Sequence, residues 1–292
     1  LCRQWAIGGE IMVKSRRTFA LVVKYLVVTV VCAVMIYPLL WMLSSSFKEE
    51  FYIFKEPGLW PSHFTLENYI DGWKGGADGS FGRYFVNTLL LVLAVMCCNL
   101  ASCSLTAFAF ARMRFRGKKI LFALVLFTMM MPNHVLIVPR YIIFNSIGWI
   151  DSYLPMIVPK LLATEGFFVY LLIQFIKGIP IEIDQSAIVD GCGWFRIYFN
   201  ITLPLALPAL ATVSIFSFIW TWNDFLTQLI YIMSPAKKTV SLALRGFIDL
   251  TSQSAYGQLF AMSILSLVPV LFFFIFFQKY IIEGIATTGL KG

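Results

Sequence analysis

Charge is scarce in this chain. Only 13% of its 292 residues are Asp, Glu, Lys or Arg, while 59% are hydrophobic, which excludes an ordinary soluble domain, where about a quarter are charged. Histidine is nearly missing: His63 and His134 stand far apart, with no HExxH or His-carboxylate spacing, so neither metal-assisted nor nucleophile-base catalysis has a constellation to work with. No GxxxxGK[ST] loop occurs, and the glycines of GWKGGADGSFG (72–82) lack the Lys-Ser/Thr pair, so they read as a flexible loop that cradles no nucleotide. Cys2, Cys32, Cys97, Cys98, Cys103 and Cys192 form no CxxC or Cys/His ligand pattern and read as reduced small hydrophobes. No catalytic residue and no metal ligand is assigned, the chain reads as non-enzymatic, and any nucleotide chemistry falls to a partner.

What the chain has is long apolar blocks. A bilayer crossing needs about 20 predominantly apolar residues, and six blocks qualify, at about 19–43, 85–111, 120–139, 153–176, 205–232 and 257–278. They predict an all-α membrane protein of six transmembrane helices, a single domain over 1–292. The first run is too long for a signal-peptide core and SSSF after it offers no small-x-small cleavage pattern, so it is expected to remain as an anchor.

Lys and Arg beside spans stay cytoplasmic. The amino-terminal segment carries Arg3, Lys14, Arg16 and Arg17 against Glu10 alone, and ARMRFRGKK (111–119) has five bases and no acid. The loop 44–83 sets four bases against six acids, as expected outside. Both termini are therefore expected in the cytoplasm. Lys237, Lys238 and Arg245 against Asp249 fit less well, being a basic excess on the side read as external. The net charge of +8 is this topological signal, with no aromatic-basic strip to suggest nucleic acid.

Between the fourth and fifth blocks lies a polar island, KGIPIEIDQSAIVDGCGWFRIYFNITLP (177–204), far longer than a tether between two helices requires. Ile181, Glu182, Gln185, Ser186 and Val189 recur at three- and four-residue spacing, which predicts a short helix opened by Pro180. Gly191 and Gly193 permit a sharp break, and a second amphipathic stretch over 194–201 places Phe195, Tyr198 and Phe199 on one side. Helix, glycine turn, helix is the expectation, projecting into the cytoplasm.

One charge stands out in the spans, Asp224 in SFIWTWNDFLTQ. An ionised carboxylate at a helix centre costs about 2.5–3.5 kcal/mol on insertion scales, so Asp224 must face protein or water, either near an interface with Asn223 or Gln228 or along a pathway. Trp220, Trp222, Asn223 and Asp224 offer the aromatic faces and polar groups a sugar needs, although packing explains such tryptophans equally.

The pattern IP-x-E-x(3)-SA-x(2)-DG-x(9)-I-x-LP closely resembles the EAA loop of permease subunits in bacterial ABC importers, and IVDG with LPLALPAL resembles the carbohydrate-uptake group. MMMPNHVLIVPRYIIFNSIGWIDSYLPMIVP and FIWTWNDFL are similar to that group's third-to-fourth and fifth spans, and GIATTGLKG to the tail of the maltose importer's second permease. The resemblance implies a type I importer permease fold, in which the EAA loop is a coupling helix lodged in a cleft of an ATPase. It places Glu182, Asp184, Gln185, Ser186, Ala187, Asp190 and Gly191 at that contact, with Cys192, Leu203 and Pro204 completing the motif. Gln185-Ser186 stand where the motif expects Glu-Ala, so a charge-assisted hydrogen bond to the ATPase becomes a neutral one, about half as strong.

The resemblance also implies ATPase contact by the tail, Gly289, Leu290, Lys291 and Gly292, and binding-protein contact by Thr251, Ser252, Gln253 and Ser254 in the last external loop. Implied partners are a second, non-identical permease, two ATPase subunits that bind the ATP and Mg this chain does not, and a periplasmic or extracellular solute-binding protein. Implied too are a bacterial inner-membrane location and a carbohydrate solute, an oligosaccharide or a polysaccharide such as alginate. An importer of glycerol phosphate or peptide shares the loop and would differ in which ligand stimulates ATP hydrolysis. An ion-coupled carrier would need further intramembrane ionisable groups and no ATP.

Overall fold

Proline does not stop the first helix. In the computed structural model, which describes residues 2–75, 79–248 and 255–289, with side chains from 21 to 280 apart from 133 and 134, α1 (Cys2–Ser45) runs through Pro38. Its apolar stretch Leu21–Ser45 has no buried residue in its most hydrophobic window. Near its end Trp41 meets Phe54 and Phe260, at centroid distances of 6.4 and 5.5 Å. After α2 (Glu67–Lys74), α3 (Phe81–Arg112) forms the axis of the fold. It contributes Cys103 and Phe108 to one buried cluster, Phe81 and Val92 to a second, and Leu91 and Val95 to a third.

The third apolar block is not one helix. α4 (Lys118–Met130) stops before Pro132, a 3-10 turn covers Asn133–Leu136, and α5 (Ile137–Ser146) follows. Proline has no N–H to donate and drives the residue before it out of helical geometry; Met131 is extended, at φ −78° and ψ 126°. The fourth block is broken too. α6 (Leu154–Ile157) runs into 3-10 turns over Val158–Leu162, Ala163 turns left-handed at φ 52°, and α7 (Gly166–Gly178) resumes. The island supplies α8 (Ile181–Val189), α9 (Trp194–Ile197), one π-helical turn at Tyr198–Thr202, and α10 (Leu203–Leu205). α11 (Leu207–Asn223) and α12 (Leu226–Tyr231) divide the fifth block at Asp224, and α13 (Val240–Arg245) and α14 (Tyr256–Gly289) complete the chain.

Among the described residues the architecture is all-helical, with one isolated β-bridge between Lys48 and Phe64. Four helical runs, Leu21–Ser45, Phe81–Arg112, Leu154–Gly178 and Tyr256–Tyr280, are long and apolar enough to cross a membrane. The pair Trp194–Leu205 and Leu207–Asn223, bent by 75°, makes a fifth if counted together. Six uninterrupted spans are thus replaced by four or five crossings plus the proline-split pair α4 and α5.

Polar ties gather the end of the fold opposite the island. Lys48 is fully buried and its ammonium donates to the carbonyls of Glu56 and Gly58, both at 2.6 Å. The Glu50 carboxylate accepts the N–H groups of Tyr256 and Gly257, at 2.9 and 2.8 Å, where the dipole of α14 favours negative charge. Asp151, left-handed at φ 57°, latches the turn after α5 to the segment after α12. Its carboxylate accepts the N–H of Met233 (3.0 Å) and of Ser234 (2.8 Å), the Ser234 hydroxyl, and the Lys237 ammonium (3.0 Å).

Hydrogen bonds from the Ser234 hydroxyl and N–H, then from Lys237, hold the Asp151 carboxyl well below the usual carboxylate range. A depressed pKa gives stability that is fully present above the ordinary value of about 3.9 and is lost as pH falls through the depressed one. The latch is therefore expected to be insensitive to pH between about 5 and 8. Asp151→Asn should speed amide exchange at Met233 and Ser234 about tenfold, the loss of one charged hydrogen-bond partner. Unchanged exchange in that variant would show that the latch adds nothing.

Candidate coupling and translocation sites

Pro180 opens α8, leaving Glu182 and Asp184 in its first turn, where acids suit the helix dipole. Its far end is closed by backbone geometry. The Gly191 N–H donates to the Ile188 carbonyl (3.0 Å) and the Cys192 N–H to the Ala187 carbonyl (2.9 Å), with Gly191 at φ 83°; this is a Schellman cap with glycine at its left-handed position. Glu182, Gln185, Ser186, Val189 and Asp190 are exposed, and the Ser186 hydroxyl is bonded back to the Glu182 carbonyl at 2.9 Å. Val189 is 86% exposed, so the outward face offers an apolar knob ringed by acids and amides.

Two residues expected on that face point inward instead. Ala187 joins the buried cluster with Phe108, Ile197 and Tyr198. Asp184 lies in an ion pair whose Oδ2 is 2.6 Å from Nε of Arg112, with the two side chains 4% and 5% exposed. Tyr198 is likewise not beside Phe195 and Phe199 at the surface; it is buried and hydrogen-bonded to the Ser104 hydroxyl at 2.7 Å, while its two neighbours stay outside. Cys192 and Leu203 are half-buried, and Gly191 and Pro204 exposed.

The four candidates on the fifth span are separated. Trp222 is buried against Phe218 and Phe85. Trp220 faces the other way, 46% exposed, stacked on Phe168 at 5.1 Å and flanked by Phe167 and Phe216. Asn223 bonds back to the Ile219 carbonyl (2.9 Å), and Asp224 ends α11 and accepts the Thr227 N–H (3.1 Å) at the start of α12. Asp224 is thus a helix breaker and cap, which removes the cost of a charge in mid-helix.

An intramembrane ion pair escaped the sequence reading. Lys160 and Glu165 bridge the break in the fourth block, both half-buried, and Ser102 of α3 donates to the Lys160 carbonyl at 2.5 Å. The signal was in VPKLLATEG (158–166): two charges, a proline and a glycine inside an apolar run, the mark of a discontinuous span. A buried polar contact, Asn99 to Ser217 at 2.9 Å, joins α3 to α11 nearby in sequence. Among the described residues no group of three metal-ligating side chains forms. Gly289 is the last residue of α14; Leu290, Lys291 and Gly292 lie outside the described residues, as do Thr251, Ser252, Gln253 and Ser254.

The family described as "Binding-protein-dependent transport system inner membrane component" matches residues 104–286, from the middle of α3 through the coupling segment into α14. The chain belongs to this family. As an inner membrane component of ABC transporters, this permease is a transport part without catalytic function of its own. It is 33% identical to a putative ABC transporter permease protein, ORF2, of Caldicellulosiruptor sp. (strain Rt8B.4), over 87% of this chain and 91% of the relative. It is 28% identical to the galactooligosaccharides transport system permease protein GanQ of Bacillus subtilis (strain 168), over 96% and 98%. In fold the permease matches a bacterial ABC transporter involved in import of the acidic polysaccharide alginate, with a TM-score of 0.80 at 20% identity over 91% of this chain and 98% of that one.

Proposed function

We propose that this permease forms half of the translocation pore of an ATP-driven, binding-protein-dependent carbohydrate importer. The observation that carries the proposal is α8, an exposed helix with a glycine cap set between two apolar helical regions in a chain of this family. Galactooligosaccharide transport by a relative that aligns along almost the whole chain favours a sugar. In this reading the termini and α8 are cytoplasmic, six crossings result if α4 and α5 together make the third, and a second, non-identical permease completes the pore.

Two ATPase subunits supply the ATP and Mg chemistry. They receive the outward face of α8 (Glu182, Gln185, Ser186, Val189 and Asp190) and the tail Gly289–Gly292. The segment 251–254 faces the solute-binding protein on the other side. ATP-driven closure of the ATPases brings two coupling helices together and tips the pore outward; hydrolysis resets it. The solute path on this chain runs past the exposed face of Trp220 and the Lys160–Glu165 pair.

The test is to purify the complex that co-isolates with this chain from its native membrane and to measure ATP hydrolysis with a panel of oligosaccharides and their binding proteins. Stimulation by one sugar is expected. Stimulation only by a peptide or a glycerol phosphate ester would reassign the solute class, and transport by the isolated chain without ATP would overturn the reading.

A further inference from the structure

The coupling segment is fastened to a helix that does not flank it. Arg112, the last residue of α3, lies 72 positions before Asp184, and its Nη2 donates to the carbonyl of Ile179 (2.9 Å) while its Nε pairs with Asp184 at 2.6 Å. One guanidinium thus holds both the end of the incoming connection and the first turn of α8. Two more ties run to the same helix: the Ser104 hydroxyl to the Tyr198 hydroxyl at 2.7 Å, and Phe108 against Trp194 and Tyr198, at centroid distances of 6.3 and 5.3 Å. From there α3 runs beside α7 and α11, carries Ser102 against the Lys160 carbonyl, and holds Asn99 on Ser217.

Stability alone is a poor reason for such a pair. Taking both charges out of water costs several kcal/mol per ion, and apolar replacements of similar volume are often neutral or stabilising. This pair is also incompletely bonded: Asp184 Oδ1 has no hydrogen-bond partner, and Nε and Oδ2 are close without hydrogen-bond alignment. What the pair does supply is a fixed position. A planar fork holding a carboxylate and a carbonyl sets the angle of α8 relative to α3 in a way that an apolar contact, free to slide, does not.

We propose that Arg112 is a positioning residue for energy coupling: through Asp184 and the Ile179 carbonyl it makes α8 and α3 one rigid body, so that ATPase motion reaches the pore along α3. This rests on the permease reading above. α3 in turn touches the broken fourth span at Ser102 and the fifth at Asn99, so a displacement entering at Arg112 reaches both elements of the proposed path.

The test uses the assembled importer with its partner permease, ATPases and binding protein. Arg112→Met with Asp184→Leu removes both charges together and keeps the volume filled. We expect normal assembly, with the ratio of solute-stimulated to unstimulated ATP turnover about tenfold lower, an ordinary size for a lost coupling. Spin labels at the exposed residues Arg114 and Ile181 supply a readout that a purely structural role would not move. Their separation should stay constant with and without ATP in the otherwise wild-type complex and change with ATP in the double variant. Full stimulation and a constant separation in the assembled double variant would overturn the proposal. So would failure to assemble in both the double variant and Asp184→Asn, since the pair would then be a folding element. If the wild-type complex is stimulated by no solute-loaded binding protein, the importer reading fails, and the label separation alone decides whether the two helices are rigidly joined.

Discussion

Gly191→Val is expected to leave the complex assembled while solute-stimulated ATP turnover falls to near the unstimulated rate. Gly191 sits at φ 83°, a left-handed conformation, with nothing within 4 Å of where a Cβ would lie. The penalty is therefore backbone strain rather than collision, about 1–2 kcal/mol for an L-residue and more for a β-branched one. The chain can relieve it by giving up the cap bonds from Gly191 to Ile188 and from Cys192 to Ala187, which frays the turn of α8 that presents Val189 and Asp190. Docking then meets a loose end instead of a helix. Purified variant complex, assayed for ATP hydrolysis with and without loaded binding protein, checks this directly; wild-type stimulation would mean that the glycine turn is dispensable. Gly191→Asn, which tolerates the left-handed region, should retain most of the response.

Lys160→Leu is expected to reduce uptake by at least about tenfold and to lower the stability of the complex by about 2 kcal/mol, because Glu165 is left without its cation inside an apolar span. The figure is set below the 3–5 kcal/mol typical of a fully buried pair because the two side chains are 26% and 29% exposed, so solvent screens part of the interaction. Lys160→Leu with Glu165→Leu should regain stability but not uptake, if the pair serves the solute path as well as the fold. Proteoliposome uptake together with thermal unfolding separates the two effects. Wild-type uptake by the double variant would return the pair to a structural role.

The coupling segment was legible in the sequence because its signals are local. A proline opens it, a three- and four-residue rhythm runs through it, and a glycine closes it, and all three lie within a dozen residues. The apolar blocks were legible for the same reason, since block length alone marks a crossing. What escaped notice depends on distant residues or on punctuation within a block. Asp184 looks like a docking acid until Arg112, 72 residues earlier, is found against it; a helical rhythm says which residues share a face and not which face meets a neighbour. Pro132 and the stretch from Lys160 to Glu165 lay inside runs whose hydrophobicity concealed the breaks, and Asp224, which looked like a charge in a span, marks the end of one.

The π turn at Tyr198–Thr202 gives the path from coupling segment to pore a further property. A π turn holds one residue more than an α turn, and each residue of an α-helix advances the next by about 100°. The length of this short stretch therefore fixes an azimuth. Losing a single residue there would act less as a shortening than as a twist of everything that follows, carrying Trp220 away from Phe168 and swinging a different strip of the fifth helix toward the pore.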